Sequence, residues 1–469
     1  MPAATGAAPL VDALVPSGTY RTGRRETVRD VTGRPLAELS LVPALYLSRT
    51  LDRLRRAPAS SAALPPAQLT RRLRAAAEAF TSATLGGTSP QEHDRLVARS
   101  TGVPVSVVRD AGRTVADVLS AAVDSVAGAR PRTTLPPSTR AGDVSRTDAA
   151  PRITGVVWRR RGRLLGVHAS GNHPAVHSLW PEALALGYRV AVRPSRRDPF
   201  TPHRLVLALR AAGFADDDVV TLPCEHATAD ALVRGSDLAM VFGGDETVRR
   251  YAGGPTPVLA QGPGRVKVLV AGEWEPYLDV IAESVGALGG VSCLNATAVL
   301  VERDAPGFAE ALAARLAALR PGPPQEEDTQ LPCLPLQRAR ETGEFLRRAA
   351  DGCAAVLGDV VHDLGDGSAS MRPAVHLVAD SGARQVGLEL PFPCVWVAPW
   401  SPEQGVAPLR DSLVVGVRGG SALVDALLDE PSVRNVYGLD RPTWWLPPGV
   451  PHDGHLAEFL MRSTALAGI

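Results

Sequence analysis

Leu288-Gly-Gly-Val-Ser-Cys293-Leu-Asn-Ala-Thr-Ala-Val-Leu-Val301 sets one cysteine behind two glycines and directly ahead of an apolar run. The run from Ala298 to Glu302 reads as a strand buried on both faces, and the residues in front of it as a glycine-loosened turn. A thiolate is the strongest common side-chain nucleophile near neutral pH, and flanking glycines let a substrate carbonyl come close to the backbone. Free cysteines are also among the most buried residues, so a structural thiol is the alternative reading.

Outward from this stretch the chain alternates. Strands are expected at Ile153–Trp158, Leu164–Ala169, Arg189–Val192, Val219–Leu222, Leu238–Phe242, Val258–Ala260 and Val266–Val270. Helical segments lie between them, one running from Thr201-Pro202 to Ala212 with Thr as its cap. Alternation of this kind implies a parallel sheet with helices on both faces and ligands at the carboxyl ends of its strands. A second unit starts with a helix from Tyr277 to Leu288. It continues through Cys293, the helices Gly307–Arg320 and Arg338–Leu357, a strand at Leu388–Val397 and a helix at Leu423–Leu428. Ahead of both, residues 1–35 read as irregular. Leu36–Arg56, Ala67–Ser82 and Val103–Ala127 read as helices, and Arg130–Arg152 as a connector or arm. The fold class expected is α/β with a helical N-terminal layer.

Composition narrows the function. A chain of 469 residues with 45% hydrophobic content fills two or three cores. Fifty basic against forty-nine acidic residues leave +1, which gives no electrostatic footprint for nucleic acid. Five cysteines without a Cys-x-x-Cys pair fit a reducing cytoplasm better than a disulfide framework or a zinc site. No secretory signal is read at the N-terminus, and the uncharged run Ser284–Val301 reads as core, not as a membrane span.

Four motifs together resemble the aldehyde dehydrogenase superfamily. Ser170-Gly-Asn172-His-Pro174 is similar to the family's Asn-x-Pro, and Val192-Arg193-Pro-Ser195 stands where the family has Lys-Pro-Ser. Val241-Phe242-Gly243-Gly244-Asp245-Glu246 stands for Phe-Thr-Gly-Ser-Thr-Glu. Glu389-Leu-Pro-Phe392-Pro-Cys-Val395 resembles Glu-x-Phe-Gly-Pro-Val, with the glutamate one position early. The resemblance implies an aldehyde dehydrogenase-like fold: a helical N-terminal region and arm (1–150), a Rossmann-type nucleotide-binding domain (151–275) and an α/β catalytic domain (276–415). Residues 416–469 would form a segment returning to the nucleotide domain or to an oligomer contact. It further implies Cys293 as nucleophile, with Asn172 and the Cys293 N–H as the oxyanion hole. Arg193, Ser195, Arg196, Phe242, Gly243, Gly244, Glu389 and Phe392 would hold a nicotinamide dinucleotide. Where NAD-preferring members carry a glutamate, Arg196 suits a 2'-phosphate, so NADPH (NADP) is expected, with NAD as the alternative.

Family members that release free acids place a basic glutamate in the region reading here Val258-Leu-Ala-Gln-Gly-Pro-Gly-Arg-Val-Lys-Val-Leu-Val-Ala271, which holds no carboxylate. Without it, hydrolysis of an acyl-enzyme loses about 10² to 10⁴ in rate. The resemblance therefore leans to the acyl-thioester (acyl-CoA) reductase branch, similar to the long-chain acyl reductase of bacterial luminescence. The implied reaction reduces an activated acyl or aryl group to the aldehyde through a Cys293 acyl-enzyme. Its partners would be a thioester of coenzyme A or of a carrier protein, or an adenylate from a partner ligase, acting in a homo-oligomer without nucleic acid or membrane. A hydrolytic aldehyde dehydrogenase and a non-catalytic scaffold are the alternatives. His173 and His177 share helical spacing but lack a third ligand, so no metal is expected. His168 is placed near the active site by sequence position alone. Pro451-His452-Asp453-Gly454-His455 reads as a turn into the last helix, with a pairing of Cys293 and a histidine left open.

Overall fold

The computed structural model describes residues 9–56, 60–135, 155–251 and 253–466. Two seven-stranded sheets dominate. The first runs Val258–Gln261, Leu238–Phe242, Leu164–His168, Arg189–Arg193, Val219–Thr221, Ala13–Val15 and Gly18–Tyr20 in spatial order, its first five strands parallel. The second runs Ala354–Leu357, Ala374–Leu377, Cys394–Pro399, Ala296–Val301, Val266–Val270, Val415–Arg418 and Val436–Gly438, parallel apart from its first strand. Central strands such as Leu164–His168 and Ala296–Val301 are buried at every position, as strands covered on both faces must be. On the first sheet the cover includes the helices Pro66–Ser82, Val105–Ala129 and Phe200–Ala211, through Leu73, Leu119 and Leu205. Alternate residues of Val266–Val270 enter separate cores: Val268 meets Ile281 and Phe308 on one face, and Leu269 meets Leu346 and Trp396 on the other.

Several local expectations are corrected. Residues Leu10–Ser40 are not irregular but carry five short strands, and the helix expected from Leu36 begins only at Ala44. The reason is non-local: Ala13–Val15 pairs antiparallel with Val219–Thr221, a partner two hundred residues away, and Leu36, Leu39 and Ser40 are buried within the strand Pro35–Ser40. A further helix, Pro90–Thr101, starts at a capping box of Ser89 and Glu92 and ends at Gly102 with φ 79°. Thr201 is not the cap of its helix; Asp198 accepts from the Thr201 N–H at 2.9 Å and the helix begins at Phe200. Val266–Val270 belongs to the second sheet. Leu388–Pro393 is a loop ahead of the strand Cys394–Pro399, and the helix from Leu336 ends at Ala349, before the strand Ala354–Leu357. Gly155–Arg160 leaves the first sheet and pairs with the C-terminal strand Met461–Leu466. Most of the expected connector Arg130–Arg152 lies outside the described residues.

Among the described residues no helix is long and apolar enough to cross a membrane. Three buried histidines around the first sheet, His168, His173 and His177, are each pushed down to about 4, in every case chiefly by burial. Their folded values lie below the ordinary value of about 6.5, so the unfolded chain takes up protons that the folded chain excludes. Stability from these rings is complete above pH ~6.5 and is lost progressively as pH falls toward ~4. A urea-midpoint series should therefore hold level from neutral pH to ~6.5 and then fall steeply. A level series down to pH ~4.5 would show that the rings are not held neutral.

Candidate active site

The carboxyl ends of three strands of the first sheet face the loops that lead into the second. Leu164–His168 leads to Asn172, Leu238–Phe242 to Gly243 and Gly244, and Val258–Gln261 ends on Gln261. Opposite stand the Cys293 loop, ahead of Ala296–Val301, and Glu389, ahead of Cys394–Pro399. Two cavities meet between them. One, of 470 Å³, is walled by Gly171, Gly243, Gly244, Arg197, Gln261 and Glu389. The other, of 450 Å³, is walled mainly by apolar side chains, among them Val107, Leu179, Leu288, Trp444 and Leu446. Asn172, Val176, Phe242, Cys293 and His452 line both.

The cysteine loop is built by a backbone that most residues resist. Leu288, Gly289 and Gly290 have φ of 57°, 68° and 64°, and a Cβ at Gly290 would lie 2.5 Å from Pro393. Asn295 then stitches the loop shut: its Oδ1 accepts from the Ser292 N–H at 3.0 Å, and its Nδ2 donates to the Ala287 and Ser284 carbonyls at 2.8 and 3.1 Å. Thr443 donates its hydroxyl to the Leu294 carbonyl at 2.7 Å, which fastens the C-terminal segment to the same loop. Gly264 backs directly onto the cysteine, since a Cβ there would lie 1.9 Å from the Cys293 carbonyl oxygen. Gly264→Ala must push the loop aside. Displacements of about 1 Å at a reacting group cost on the order of 10²-fold, so kcat/KM should fall by at least that much, with the melting temperature and kcat/KM measured on the same preparation.

The Cys293 sulphur is reachable from both cavities, yet the protein packed around it removes most bulk water. That burial, with the Glu389 carboxylate nearby, pushes the thiol up to about 12, against the opposing pull of its own N–H and the Ser292 hydroxyl. His452 Nε2 lies 3.4 Å from the sulphur. Burial lowers this histidine to about 4, so at neutral pH a neutral ring faces a neutral thiol. Asn172 donates Nδ2–H to the Val291 carbonyl at 3.0 Å and accepts from the Ser170 hydroxyl at 2.6 Å, leaving its second amide hydrogen without a protein acceptor among the described residues.

The other expected site residues divide. Phe242, Gly243, Gly244 and Glu389 wall the cavity that Cys293 reaches. Glu389 Oε2 accepts from the Gly264 and Arg265 N–H groups at 3.0 and 3.4 Å, and burial holds its carboxyl above the ordinary value despite them. Phe392 is not at the cavity; it is 1% exposed and packs in the core with Trp396, while Leu390 and Pro391 form the wall. Arg193 is buried and directs its guanidinium to His168 Nε2 at 3.2 Å, and Ser195 Oγ accepts from the Arg197 N–H at 3.2 Å. Arg196 pairs with Glu26 at 3.1 Å. Asp245 is ion-paired with Arg265, which compensates its charge. His173 and His177 are spent on local bonds from the Ala175 N–H and the Trp180 indole, and no group of three metal-binding side chains occurs among the described residues. Sequence reasoning missed Gln261, Arg197, Gly264, Asn295 and Thr443. The capping-type pattern Ser292-x-x-Asn295 was the one local signal available.

The family model described as the aldehyde dehydrogenase family matches residues 21–418. Among curated proteins, 2-hydroxymuconic semialdehyde dehydrogenase of Pseudomonas sp. (strain CF600) is 27% identical over 303 residues, 60% of this chain and 61% of that protein. A 2-aminomuconic 6-semialdehyde dehydrogenase of Pseudomonas sp. is 28% identical over 261 residues, 52% of this chain and 53% of that protein. The chain thus spans about three fifths or less of the length of these relatives. Among solved structures, a mutant indole-3-acetaldehyde dehydrogenase of P. syringae in complex with NAD+ and IAA superposes with a TM-score of 0.81 at 16% identity, over 97% of this chain and 96% of that one. Lactaldehyde dehydrogenase from Escherichia coli gives 0.79 at 16% identity, over 98% and 99%. At such identity the likeness is one of fold.

Proposed function

Because the chain belongs to the aldehyde dehydrogenase family, we propose that it oxidises an aldehyde to the acid with a nicotinamide dinucleotide as electron acceptor, through a covalent intermediate on Cys293. The observation that carries this is the position of the Cys293 sulphur, where a glycine-walled cavity and an apolar cavity meet beside the Asn172 amide. The relatives named as semialdehyde dehydrogenases support oxidation over the acyl reduction that the sequence alone suggested.

The 470 Å³ cavity suits the dinucleotide: glycine backbone at 243, 244 and 262 offers flat walls, with Arg197 and the Glu389 carboxylate as polar anchors. A nicotinamide dinucleotide held there would supply the acceptor for the electron pair of the substrate C–H bond. Cys293 adds to the carbonyl carbon, and the Asn172 amide with the Cys293 N–H holds the resulting oxyanion. Arg196 favours the 2'-phosphate of NADP. Its partner Glu26 is 31% exposed and competes for the same guanidinium. A ratio of KM values for NADP and NAD that reverses in Arg196→Glu supports that preference.

The apolar cavity sets the substrate class. Among the described residues lining it there is no lysine or arginine, and its one carboxylate, Asp110, is paired with Arg113. An anionic substrate tail would be desolvated without a counter-charge, at a cost of a few kcal/mol. Uncharged aliphatic or aromatic aldehydes should therefore exceed carboxylated semialdehydes of equal length by about 10²-fold in kcat/KM.

A second reading, reduction of an acyl thioester, is favoured by Gln261, an amide where a basic carboxylate would serve hydrolysis. One assay separates the two. Purified protein is given neutral aldehydes with NAD+ or NADP+, and in parallel acyl-CoA thioesters with NADH or NADPH, and acid and aldehyde products are quantified. Acid formation from aldehyde supports the proposal; aldehyde formation from thioester alone would replace it with the reductive reaction.

A further inference from the structure

We infer that His452 is the acid–base group of this site, taking the proton from the Cys293 thiol as it attacks and later from the water that releases the acid. The inference rests on the proposed aldehyde oxidation for its second step, but not for its first. It starts from geometry. His452 Nε2 stands 3.4 Å from the sulphur and the ring lines both cavities. Its carbonyl is gripped by Asn435 Nδ2 at 2.7 Å, and Asn435 Nδ2 also donates to the Leu413 carbonyl at 3.0 Å, so the residue is fixed to the second sheet. Its Nδ1 is buried without a protein partner.

The other groups near the sulphur are poorly placed for the task. Gln261 has no titratable proton. Glu389 is engaged through Oε2 by two backbone N–H groups. Asp453, next to His452, is paired with Arg434 at 3.1 Å. Glu389 and Asp453 bear on the thiol, and Glu182 and His455 line a cavity together with His452, but among the described residues only Cys293 lies within hydrogen-bond distance of the ring.

The proton traffic balances. As the S–C bond forms, the thiol proton passes to Nε2 and the carbonyl electrons to oxygen. After the substrate C–H electron pair has left with the nicotinamide, a thioester remains and His452 returns its proton to solvent. Water then adds to the thioester carbonyl while Nε2 takes its proton. The C–S bond breaks, the acid leaves, and the departing sulphur recovers that proton. One aldehyde, one water and one oxidised nucleotide give one acid, one reduced nucleotide and one proton.

The test needs neither aldehyde nor nucleotide. The rate of Cys293 carbamidomethylation by iodoacetamide, read by peptide mass, is followed against pH in the wild type, His452→Gln and Glu389→Gln, with thermal unfolding as a check on folding. His452→Gln should slow alkylation at neutral pH by about 10² to 10⁴-fold, with the rate recovering in proportion to hydroxide. Glu389→Gln should not slow it: the carboxylate raises the thiol, so its loss makes the thiolate easier to form. Added imidazole should restore part of the rate in His452→Ala. An unchanged rate and profile in His452→Gln, or the large loss in Glu389→Gln instead, overturns the inference. If the variants do not fold, the wild-type profile decides: an alkylation rate proportional to hydroxide throughout, without a histidine-dependent plateau, also overturns it. Histidine-dependent alkylation in a protein that oxidises no aldehyde would leave the first proton transfer standing and remove the proposed function.

Discussion

Cys293→Ala should lose about 10⁴-fold or more in kcat with every aldehyde the protein turns over, because among the described residues no other thiol or hydroxyl lines both cavities. The other cysteines cannot substitute. Cys224, Cys333 and Cys394 are buried, and Cys353 lies on the far helix-covered side of the second sheet, beside His376. The change should leave the fold nearly untouched, since the sulphur only fringes the apolar core of the second sheet and loss of one such atom costs about 1 kcal/mol. Nucleotide binding, followed by fluorescence or calorimetry, should persist. Turnover retained within tenfold would place the chemistry on another group.

Asn172→Ala comes second in size. The amide holds the cysteine loop through the Val291 carbonyl and offers its remaining hydrogen to the oxyanion. Loss of one such donor costs on the order of 10² to 10³ in kcat. KM should move little, because the developing charge, and not the bound aldehyde, uses the donor most strongly. A variant in which KM alone rises would show that Asn172 positions the ground state. Asn172→Asp should be at least as damaging, since a carboxylate at the same place repels the oxyanion.

How much of this is legible in sequence follows from how local each feature is. The Cys293 stretch carries its own signals, two glycines at positive φ and an all-buried strand, and the strands at Leu164, Leu238 and Val258 announce themselves as apolar runs. Asn172, Phe242 and the Gly243-Gly244 pair follow from those strand ends. His452 does not. It arrives at the sulphur from 159 residues away, carried by a segment that Thr443 and Asn435 pin to the second sheet, and nothing in Pro451-His452-Asp453 encodes that meeting. The N-terminal strands were invisible for the same reason, because Ala13–Val15 is a strand only through its pairing with Val219–Thr221. Phe392 shows the converse: the motif resemblance placed it at the cofactor, while Leu390 and Pro391 take the wall and leave the ring to the core. The missing carboxylate in Val258–Ala271 was legible as an absence, whereas the pairing of Cys293 with a histidine, left open at Pro451–His455, falls to His452 only through the fold.

The central claim, that an aldehyde becomes a thioester on Cys293, is tested most directly by trapping. Protein mixed with a neutral aldehyde and oxidised nucleotide is quenched in acid within the first turnover, and its intact mass and peptide map are recorded. The account predicts one adduct of the acyl mass, carried by the peptide containing Cys293, absent when the nucleotide is omitted and absent in Cys293→Ala. Turnover without any adduct, or an adduct on a different cysteine, would contradict it.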